Sequence, residues 1–581
     1  MARERMSGAT MSGKPDIPAL LRARGLRAPS WETVRNQTLA VLFRSPVYRF
    51  FLRAPVPDDI AVAVADPWPG DNSRGLHLIN GDFRAAGQSF ALTTGQWAPA
   101  GATPGWRAEL AGFSWLRNLQ AVATEAARLR ARDLVTDWLD HRDRWDPMDW
   151  RADVLGSRVA AWISHHEWLT QNALPEFRER MRESLSAQCV HLSRTVAQTP
   201  DGGPRFTAIK GLVYAGWCLN LGARWTQRFR ARALAALSTE IARQINPDGG
   251  QIERSPAVHV AVLRELVEMR GVLRAAGAEC PGDLQTAIDR MAPCLRFYRH
   301  GDEALALFND SNEDEAWHID QVLMRAESGG KAPNAAPHTG FQRLSAGRTL
   351  LIVDAGPPSK LDGHAHAGAL SFEMSVGKER LVVNCGAHAA DASDWRRAQR
   401  ATAAHSTLSI DDRNSSEILG PCGLGGGTIG RRPRQVIATR DESDGNLWLE
   451  LEHDGYEHGF KRLHRRRLWL AATGEDLRGE DLLIAPREGA ATGDHRFCVR
   501  FHLHPKVQAS LAQDGTAALL KLASGIGWRL RVMGGDLALG DSIYLGKRGE
   551  MKRAQQIMIS GPVADGDTLI RWSFRREGAS R

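Results

Sequence analysis

The chain has 581 residues, 43% of them hydrophobic and 24% charged, with a formal net charge of +8. This composition is typical of a globular protein of two or three domains and excludes wholesale disorder. The positive charge favours an anionic partner, such as an acidic polysaccharide, an anionic lipid or a nucleic acid, without choosing among them.

Residues 1–59 are predicted to form an N-terminal tail and an amphipathic helix. The first residues are basic but lack the apolar core of a secretory signal, and no stretch reaches the ~18 apolar residues of a membrane span. We therefore expect a cytoplasmic protein without a transmembrane segment. Residues 31–56 could lie on a membrane surface or dock against the rest of the protein, and we expect docking.

Residues 60–105 are rich in Gly, Pro and Trp, which predicts a loop-rich lead-in with one or two short strands. From about residue 106 to 300, apolar residues repeat at helical spacing. Gly- and Pro-containing breaks delimit helices near 152–171, 174–198, 206–221, 226–245 and 283–299. Similar helices joined by short loops indicate a toroid or a solenoid, and the lack of a strict repeat favours the toroid.

Residues 326–340 have the composition of a linker, and beyond them the apolar period becomes two. Phe497, Val499, Phe501 and Leu503 alternate with polar residues. Other strands are predicted at 348–354, 370–376, 380–385, 446–453, 463–472 and 528–533. The predicted fold class is therefore multidomain, α then β, ending in an antiparallel β-sandwich.

Three histidines in the second half carry the clearest signal for chemistry. His364 and His366 are one residue apart, and they would point to the same side if they lay on one strand. His405 precedes a predicted strand that carries Ser and Thr. Such histidines bind metals or transfer protons, although surface or hydrogen-bonded histidines would look the same in sequence.

A second polar group, Glu253, Arg254 and His259, surrounds a predicted helix start. Ser255 is the predicted N-cap, followed by Pro256 at the first helical position. Capping and a surface ion pair could explain the group, but it could also belong to a site.

Five segments together resemble the heparinase II/III-type polysaccharide lyases, and among them an alginate lyase-like bacterial subgroup. They are DPWPGD, INGDF, DGGQIERSP, HAHAGALSFEMSVGKERLVVNCG and RATAAHSTLSIDD. The resemblance implies an N-terminal (α/α) toroid over residues 60–325 and a C-terminal β-sandwich over 340–581. It also implies β-elimination on an acidic polysaccharide and a periplasmic location, in contrast to the missing signal.

The resemblance also assigns roles to individual residues. His364 matches the family's catalytic histidine. His366 and His405 match ligands of one structural zinc, and Asn384 stands where relatives have the third ligand, an aspartate. A neutral Asn oxygen is a weaker zinc ligand than a carboxylate.

The family's catalytic tyrosine has no match, since its position falls at about Val258. His259, beside it, is a possible substitute, with Glu253 as a further catalytic candidate. The candidate cations for holding the substrate carboxylate are Arg254, Arg205, Lys210 and Arg400.

Two functions remain open at this point. The first is a lyase for a uronic-acid-containing polysaccharide, and the second is a non-catalytic protein that binds such a glycan during envelope or exopolysaccharide metabolism. A nucleic-acid partner is not expected. The basic run over 461–467 lacks interleaved aromatic residues, and a solvated strand edge explains it.

Overall fold

The computed structural model describes residues 31–361, 363–388, 394–420, 428–486, 494–512, 514–547 and 549–578. The tail predicted over residues 1–30 and the thiol of Cys422 lie outside these ranges. The six cysteines within them are free, so they form no disulfide framework.

The first half of the described chain is helical. Its helices are α1 Trp31–Arg44, α2 Pro46–Phe51, α3 Asn72–Ile79, α4 Pro104–Ala111, α5 Leu116–Val122, α6 Glu125–His141, α7 Ala152–Ser164, α8 His166–Thr170, α9 Pro175–Thr195, α10 Gly203–Cys218, α11 Ala223–Gln244, α12 Pro256–Ala275, α13 Gly282–Phe297 and α14 Ala316–Ala326. Helix α10 packs against α7, α9, α11 and α12, and it is buried along most of its length. As expected, the lead-in contains two short strands, β1 Asp82–Ala85 and β2 Gln88–Ala91, which form a hairpin.

The second half is built from strands. They are β3 Ala335–Ala336, β4 Phe341–Ala346, β5 Thr349–Asp354, β6 Phe372–Val376, β7 Glu379–Val383, β8 Leu408–Ile410, β9 Val436–Ser443, β10 Asn446–His453, β11 Leu463–Leu470, β12 Asp476–Ile484, β13 Arg496–Leu503, β14 Gln508–Leu511, β15 Ala517–Lys521, β16 Gly527–Met533, β17 Asp536–Lys547, β18 Glu550–Pro562 and β19 Thr568–Arg576. Two short helices, α15 Asp394–Arg400 and α16 Glu457–Phe460, lie between strands. Strand β3, the first strand of this half, lies inside residues 326–340, the stretch predicted to be a linker.

The strands form two antiparallel sheets with a shared apolar core. One sheet has the order β14-β15-β16-β19-β12-β11-β10-β9, and the other has the order β17-β18-β13-β7-β6-β5-β4-β3, with β8 paired to β13. Phe497, Val499, Phe501 and Leu503 are buried between them, as their alternation predicts. The chain thus runs from helices to a sandwich.

The basic run over 461–467 is not a strand edge, so that expectation is corrected. Strand β11 lies between β10 and β12. Arg466 is buried and donates to Asp481 at 2.8 Å, whereas Arg465 and Arg467 pair with glutamates of β10. Arg466 is therefore part of the sandwich interior, whereas Arg465 and Arg467 are partly exposed and paired with carboxylates.

The N-terminal helices dock on the helical half by one face, as expected. Tyr48 and Leu52 are buried, and Tyr48 Oη lies 2.7 Å from His191 Nδ1 on α9. In the described ranges, no helix combines the length and apolar character that crossing a bilayer requires.

The two halves are joined by the buried side chain of Arg254. Its guanidinium donates to the carbonyl oxygens of Thr339 (2.7 Å), Gly340 (2.8 Å) and Pro357 (2.6 Å) and pairs with the carboxylate of Asp354. It also lies over the ring of Phe341, 4.8 Å from the centroid. A residue just before α12 therefore fixes the position of the first sandwich strands.

We expect Arg254→Ala to destabilise the protein strongly. The substitution leaves the buried Asp354 carboxylate and several carbonyl groups without a partner, a loss of about 3–5 kcal/mol in the free energy of unfolding. Denaturant unfolding followed by tryptophan fluorescence measures it. The control, Arg274→Ala, breaks a half-exposed pair with Glu327 and should change stability by less than about 1 kcal/mol. Equal unfolding curves for the two variants would contradict this role.

Candidate functional site

The site lies where the start of α12 meets the sandwich loop between β5 and β6. Glu253, from the helical half, is buried, and His364, in that loop, has 36% of its side chain exposed. Glu253 Oε2 lies 3.7 Å from His364 Nε2. A carboxylate of one half therefore faces an imidazole of the other.

The second nitrogen of His364 is fixed by an aspartate that the sequence analysis missed. His364 Nδ1 lies 3.0 Å from Asp310 Oδ2, on the connection between α13 and α14. Arg396 donates to the same oxygen at 2.7 Å and to the Gly363 carbonyl oxygen at 2.6 Å. These contacts hold the ring so that Nε2 faces Glu253.

The charges of these groups follow from their surroundings. Burial lowers the pKa of His364, but the hydrogen bond and charge of Asp310, with the charge of Glu253, outweigh it, so the pKa lies above the usual 6.5. Burial raises the pKa of Glu253, against the opposing charge of His364. Although burial opposes it, the pKa of Asp310 lies well below its usual range because of His364 and Arg396. The pKa of the His364 imidazole and that of the Glu253 carboxyl group facing it are thus both raised above their usual values.

A glycine makes room for the Glu253 carboxylate. Gly202 has φ +94°, and a Cβ built there would clash with Glu253 Oε1. The same oxygen accepts a hydrogen bond from Gly203 N, at the start of α10, at 3.1 Å. The Glu253 carboxylate, which lies just before α12 in the chain, is therefore held by the DGGP segment at the start of α10.

Arg254 does not face this site, which corrects the expectation that it holds a substrate carboxylate. It is the next residue after Glu253, but its backbone has φ +61° and its guanidinium is committed to Asp354 and to sandwich carbonyl groups. The turn sends the two neighbouring side chains in different directions. Glu253 therefore lies at the site, and Arg254 lies in the interface.

The other three predicted cations are also committed to partners. Arg205 pairs with Asp201 at 3.1 Å and Glu240 at 3.5 Å. Lys210 is buried, 2.8 Å from Glu265 and 3.0 Å from Glu268. Arg400 is buried and donates to the carbonyl oxygen of Ala365, so it supports the loop between His364 and His366. Each contradicts the prediction of a cation presented to the substrate.

His259 is buried on α12, and its Nε2 lies 2.9 Å from the carbonyl oxygen of Met291. Its Nδ1 is buried without a hydrogen-bond partner, and among the described residues no hydrogen bond or ion pair joins His259 to Glu253 or His364, so the structure does not bring it together with them. No tyrosine replaces it either. All five tyrosines of the sequence are described, and all are buried: Tyr48, Tyr214, Tyr298, Tyr456 and Tyr544.

His366 and His405 come together behind His364. They are buried, and His366 Nδ1 lies 3.1 Å from His405 Nε2, a separation that two ligands of one zinc ion could have. His366 and His364 lie in a loop rather than on one strand, and their rings make separate contacts. His405 Nδ1 lies 2.8 Å from the Ala401 carbonyl oxygen, so His405 Nε2 can accept a hydrogen bond from His366.

The third predicted ligand does not complete a zinc site. Asn384 Oδ1 accepts a hydrogen bond from Ser406 N at 3.0 Å, and its Nδ2 is buried without a hydrogen-bond partner. Within the part of the chain that the structure describes, no three His, Cys, Asp or Glu side chains converge as metal ligands. Two imidazoles and one neutral oxygen fall short of the usual donor set of a structural zinc. His366 Nε2 is likewise buried without a hydrogen-bond partner, so the contact with His405 satisfies only one nitrogen of that ring.

A cavity of about 730 Å³ lies near the site, between the lead-in and the sandwich. Asn312, two residues beyond Asp310, contributes to its wall together with the exposed Trp317. The exposed Arg74 and Lys547 also line it, paired with Asp71 at 3.6 Å and Glu315 at 3.4 Å respectively. An exposed aromatic ring and exposed, ion-paired basic side chains therefore line this cavity.

Sequence reasoning missed Asp310 and Arg396. Asp310 belongs to the segment FNDSNEDE, where polar residues follow an apolar run directly. That change in polarity is a signal for a functional loop. Nothing in the linear pattern connects it with Arg396, because the two residues are 86 positions apart.

Comparison with known proteins identifies relatives of both halves. Residues 134–327 match the family described as heparinase II/III N-terminus, and residues 328–573 match heparinase II/III-like, C-terminal. The chain is 31% identical to "FtsZ-localized protein C" of Caulobacter vibrioides, over 97% of this chain and 100% of that protein.

Two further matches are more distant. The chain is 25% identical to the "Heparin-sulfate lyase" of Pedobacter heparinus, over 41% of this chain and 40% of that protein. A crystal structure of heparinase III aligns with a TM-score of 0.70 and 14% identity, over 94% of this chain and 89% of that chain. The fold predicted from the sequence, a helical toroid followed by an antiparallel sandwich, is confirmed.

We expect the purified protein to contain little zinc and Asn384→Asp to bind zinc more tightly. The aspartate would add a charged oxygen beside the two histidines. Elemental analysis and equilibrium dialysis with zinc measure both expectations. Asn446→Asp, in the sheet distant from the histidines, is the control and should behave like the original protein. One zinc per chain that resists chelators in the unsubstituted protein would contradict the expectation.

Proposed function

The chain belongs to the heparinase II/III-like family, and from that premise we propose that it is a lyase that cleaves a uronic-acid-containing polysaccharide by β-elimination. The observation that supports this proposal is the opposed pair Glu253 and His364, whose Oε2 and Nε2 lie 3.7 Å apart at the boundary of toroid and sandwich. One group is basic and the other is cationic, as removal of a proton beside a carboxylate requires.

In the proposed reaction, the Glu253 carboxylate removes the proton from the carbon next to the sugar carboxylate. The electrons of that C–H bond form a carbon–carbon double bond while the bond to the glycosidic oxygen breaks. The protonated Glu253 then returns its proton to the leaving oxygen. A single carboxyl group therefore acts as base and then as acid, which removes the need for a tyrosine.

His364 holds the substrate carboxylate in this scheme. Negative charge grows on that carboxylate as the proton leaves, so a fixed cation stabilises the transition state. Asp310 keeps the imidazole oriented and protonated, and Arg396 keeps Asp310 ionised. His364 is the proposed cation because Arg205, Lys210, Arg254 and Arg400 are bound elsewhere.

A second candidate function is binding of an acidic glycan without cleavage, at the site of cell division. Full-length similarity to a protein named for its localisation with FtsZ favours it. The buried tyrosines favour it as well, since a lyase that used the family's tyrosine could not work here. The two functions differ in turnover, which the following variants test.

We expect Glu253→Gln and His364→Gln to fail in different ways. Glu253→Gln removes the base, so kcat should fall about 10²–10⁴-fold while glycan affinity stays equal or rises. His364→Gln removes the cation, so the rate should fall about 10²–10³-fold and affinity should weaken. The absorbance of the unsaturated uronate on a panel of acidic polysaccharides measures turnover, and calorimetry measures binding.

The matched control is His458→Gln, an exposed histidine of α16 in the sandwich, which should retain activity. Full activity of Glu253→Gln on a cleaved substrate would refute the proposed base. If the unsubstituted protein binds several acidic glycans but cleaves none, the second function replaces the first.

A change at Asp310 should shift the pH dependence. The pKa of His364 is raised, so its charge is present below that pKa and is lost as pH rises through it. Asp310→Asn removes the raising charge and should lower the pKa of His364. The alkaline limb of activity should then move to lower pH. Imidazole titration by NMR checks this independently of turnover, with Asp412→Asn, an exposed pair with Arg500, as the control. An unshifted titration would contradict the role of Asp310.

A further inference from the structure

The helices α1 and α2 bury one face and expose an apolar one. Tyr48 and Leu52 pack against the helical half, while Phe50 and Phe51 are 61% and 57% exposed. Four more aliphatic side chains of the same stretch are exposed: Val41, Leu42, Val47 and Val56. We call these six side chains the N-terminal apolar patch. Such a concentration of exposed apolar side chains marks an interaction surface.

Arginines surround this patch. Arg44, Arg49 and Arg53 are all exposed, and Arg53 lies over the Phe50 ring at 4.8 Å. Residues 38–56 contain no aspartate or glutamate. Outside this stretch, Asp143 pairs with Arg49 at 3.6 Å, and its side chain is 20% exposed. An apolar face bordered mainly by exposed arginines complements an anionic surface with an apolar interior.

The charge of the whole chain is concentrated in this region. Residues 1–56 contain ten Lys and Arg against three Asp and Glu, a net charge of +7. The whole chain carries +8, which leaves +1 for the other 525 residues. The basic character that favours an anionic partner therefore belongs to the N-terminal region rather than to the remaining 525 residues.

We propose that the N-terminal apolar patch inserts into the surface of an anionic lipid bilayer. The six side chains would enter the boundary between headgroups and acyl chains, and the three arginines would contact lipid phosphates. Residues 1–30 are an unsuitable cover for the patch because they contain six Lys and Arg against two Asp and Glu, so the arginine rim would repel them. A second copy would bring the same arginines together. The proposal is independent of the function proposed for the site at Glu253 and His364.

Sedimentation of the full chain with vesicles tests the proposal. The protein should bind vesicles that contain phosphatidylglycerol, bind pure phosphatidylcholine vesicles weakly, and dissociate as salt is added. Phe50→Ser with Phe51→Ser should lower the partition coefficient about ten-fold or more, because both rings leave the bilayer. Arg53→Gln should lower it about five-fold. Met533→Ser, which removes an exposed apolar side chain of β16, should leave it unchanged.

Thermal unfolding of each variant checks that its fold is intact, as expected for exposed positions. Three results would overturn the proposal. The first is no binding to anionic vesicles, and the second is equal binding by the Phe50/Phe51 variant. The third is that the Phe50/Phe51 variant differs from the original protein only in its oligomeric state, measured by size-exclusion chromatography, and not in vesicle binding. That result would assign the patch to contact with a second copy of the chain.

Discussion

A buried guanidinium, that of Arg254, makes the densest set of hydrogen bonds between the two halves, beside further contacts such as His300 with Glu373. Arg254 belongs to the helical half, yet its hydrogen-bond partners at residues 339–357 belong to the start of the sandwich. A buried charge tolerates few arrangements, because each unpaired donor costs free energy. The interface is therefore defined closely at this point, next to Glu253. This explains how a site shared between two halves can keep its geometry.

The same turn separates a structural side chain from a chemical one. Arg254 has a left-handed backbone and points into the sandwich, whereas Glu253 points to His364. Asp310 and Arg396 then set the charge of the imidazole from behind. The result is one partly exposed histidine with a raised pKa opposite one buried carboxyl group. A carboxylate-bearing sugar would meet its cation on the sandwich and its base on the toroid.

Most of the fold followed from periodicity. The helices over 175–195, 203–218 and 223–244 and the strands over 446–453 and 496–503 lie close to their predicted bounds. Their apolar faces are continuous in sequence, so a local pattern reveals them. The prediction that the basic run over 461–467 lies on a strand edge was wrong, because the neighbours of a strand in a sheet are not a local property of the sequence.

The sequence alone determined the order of helices and strands, the family resemblance, and the concentration of positive charge near the N-terminus, and it singled out His364 as a candidate. It also placed Glu253 and Arg254 together as candidates without separating their roles. The family match of His366 and His405 to ligands of one zinc also predicted that these two side chains lie together, as they do. Only the tertiary structure decided that Arg254 is buried in the interface and that Asp310 orients His364. The physical reason is that hydrogen bonds and ion pairs depend on distances in space, and these partners lie 54 to 100 residues apart along the chain.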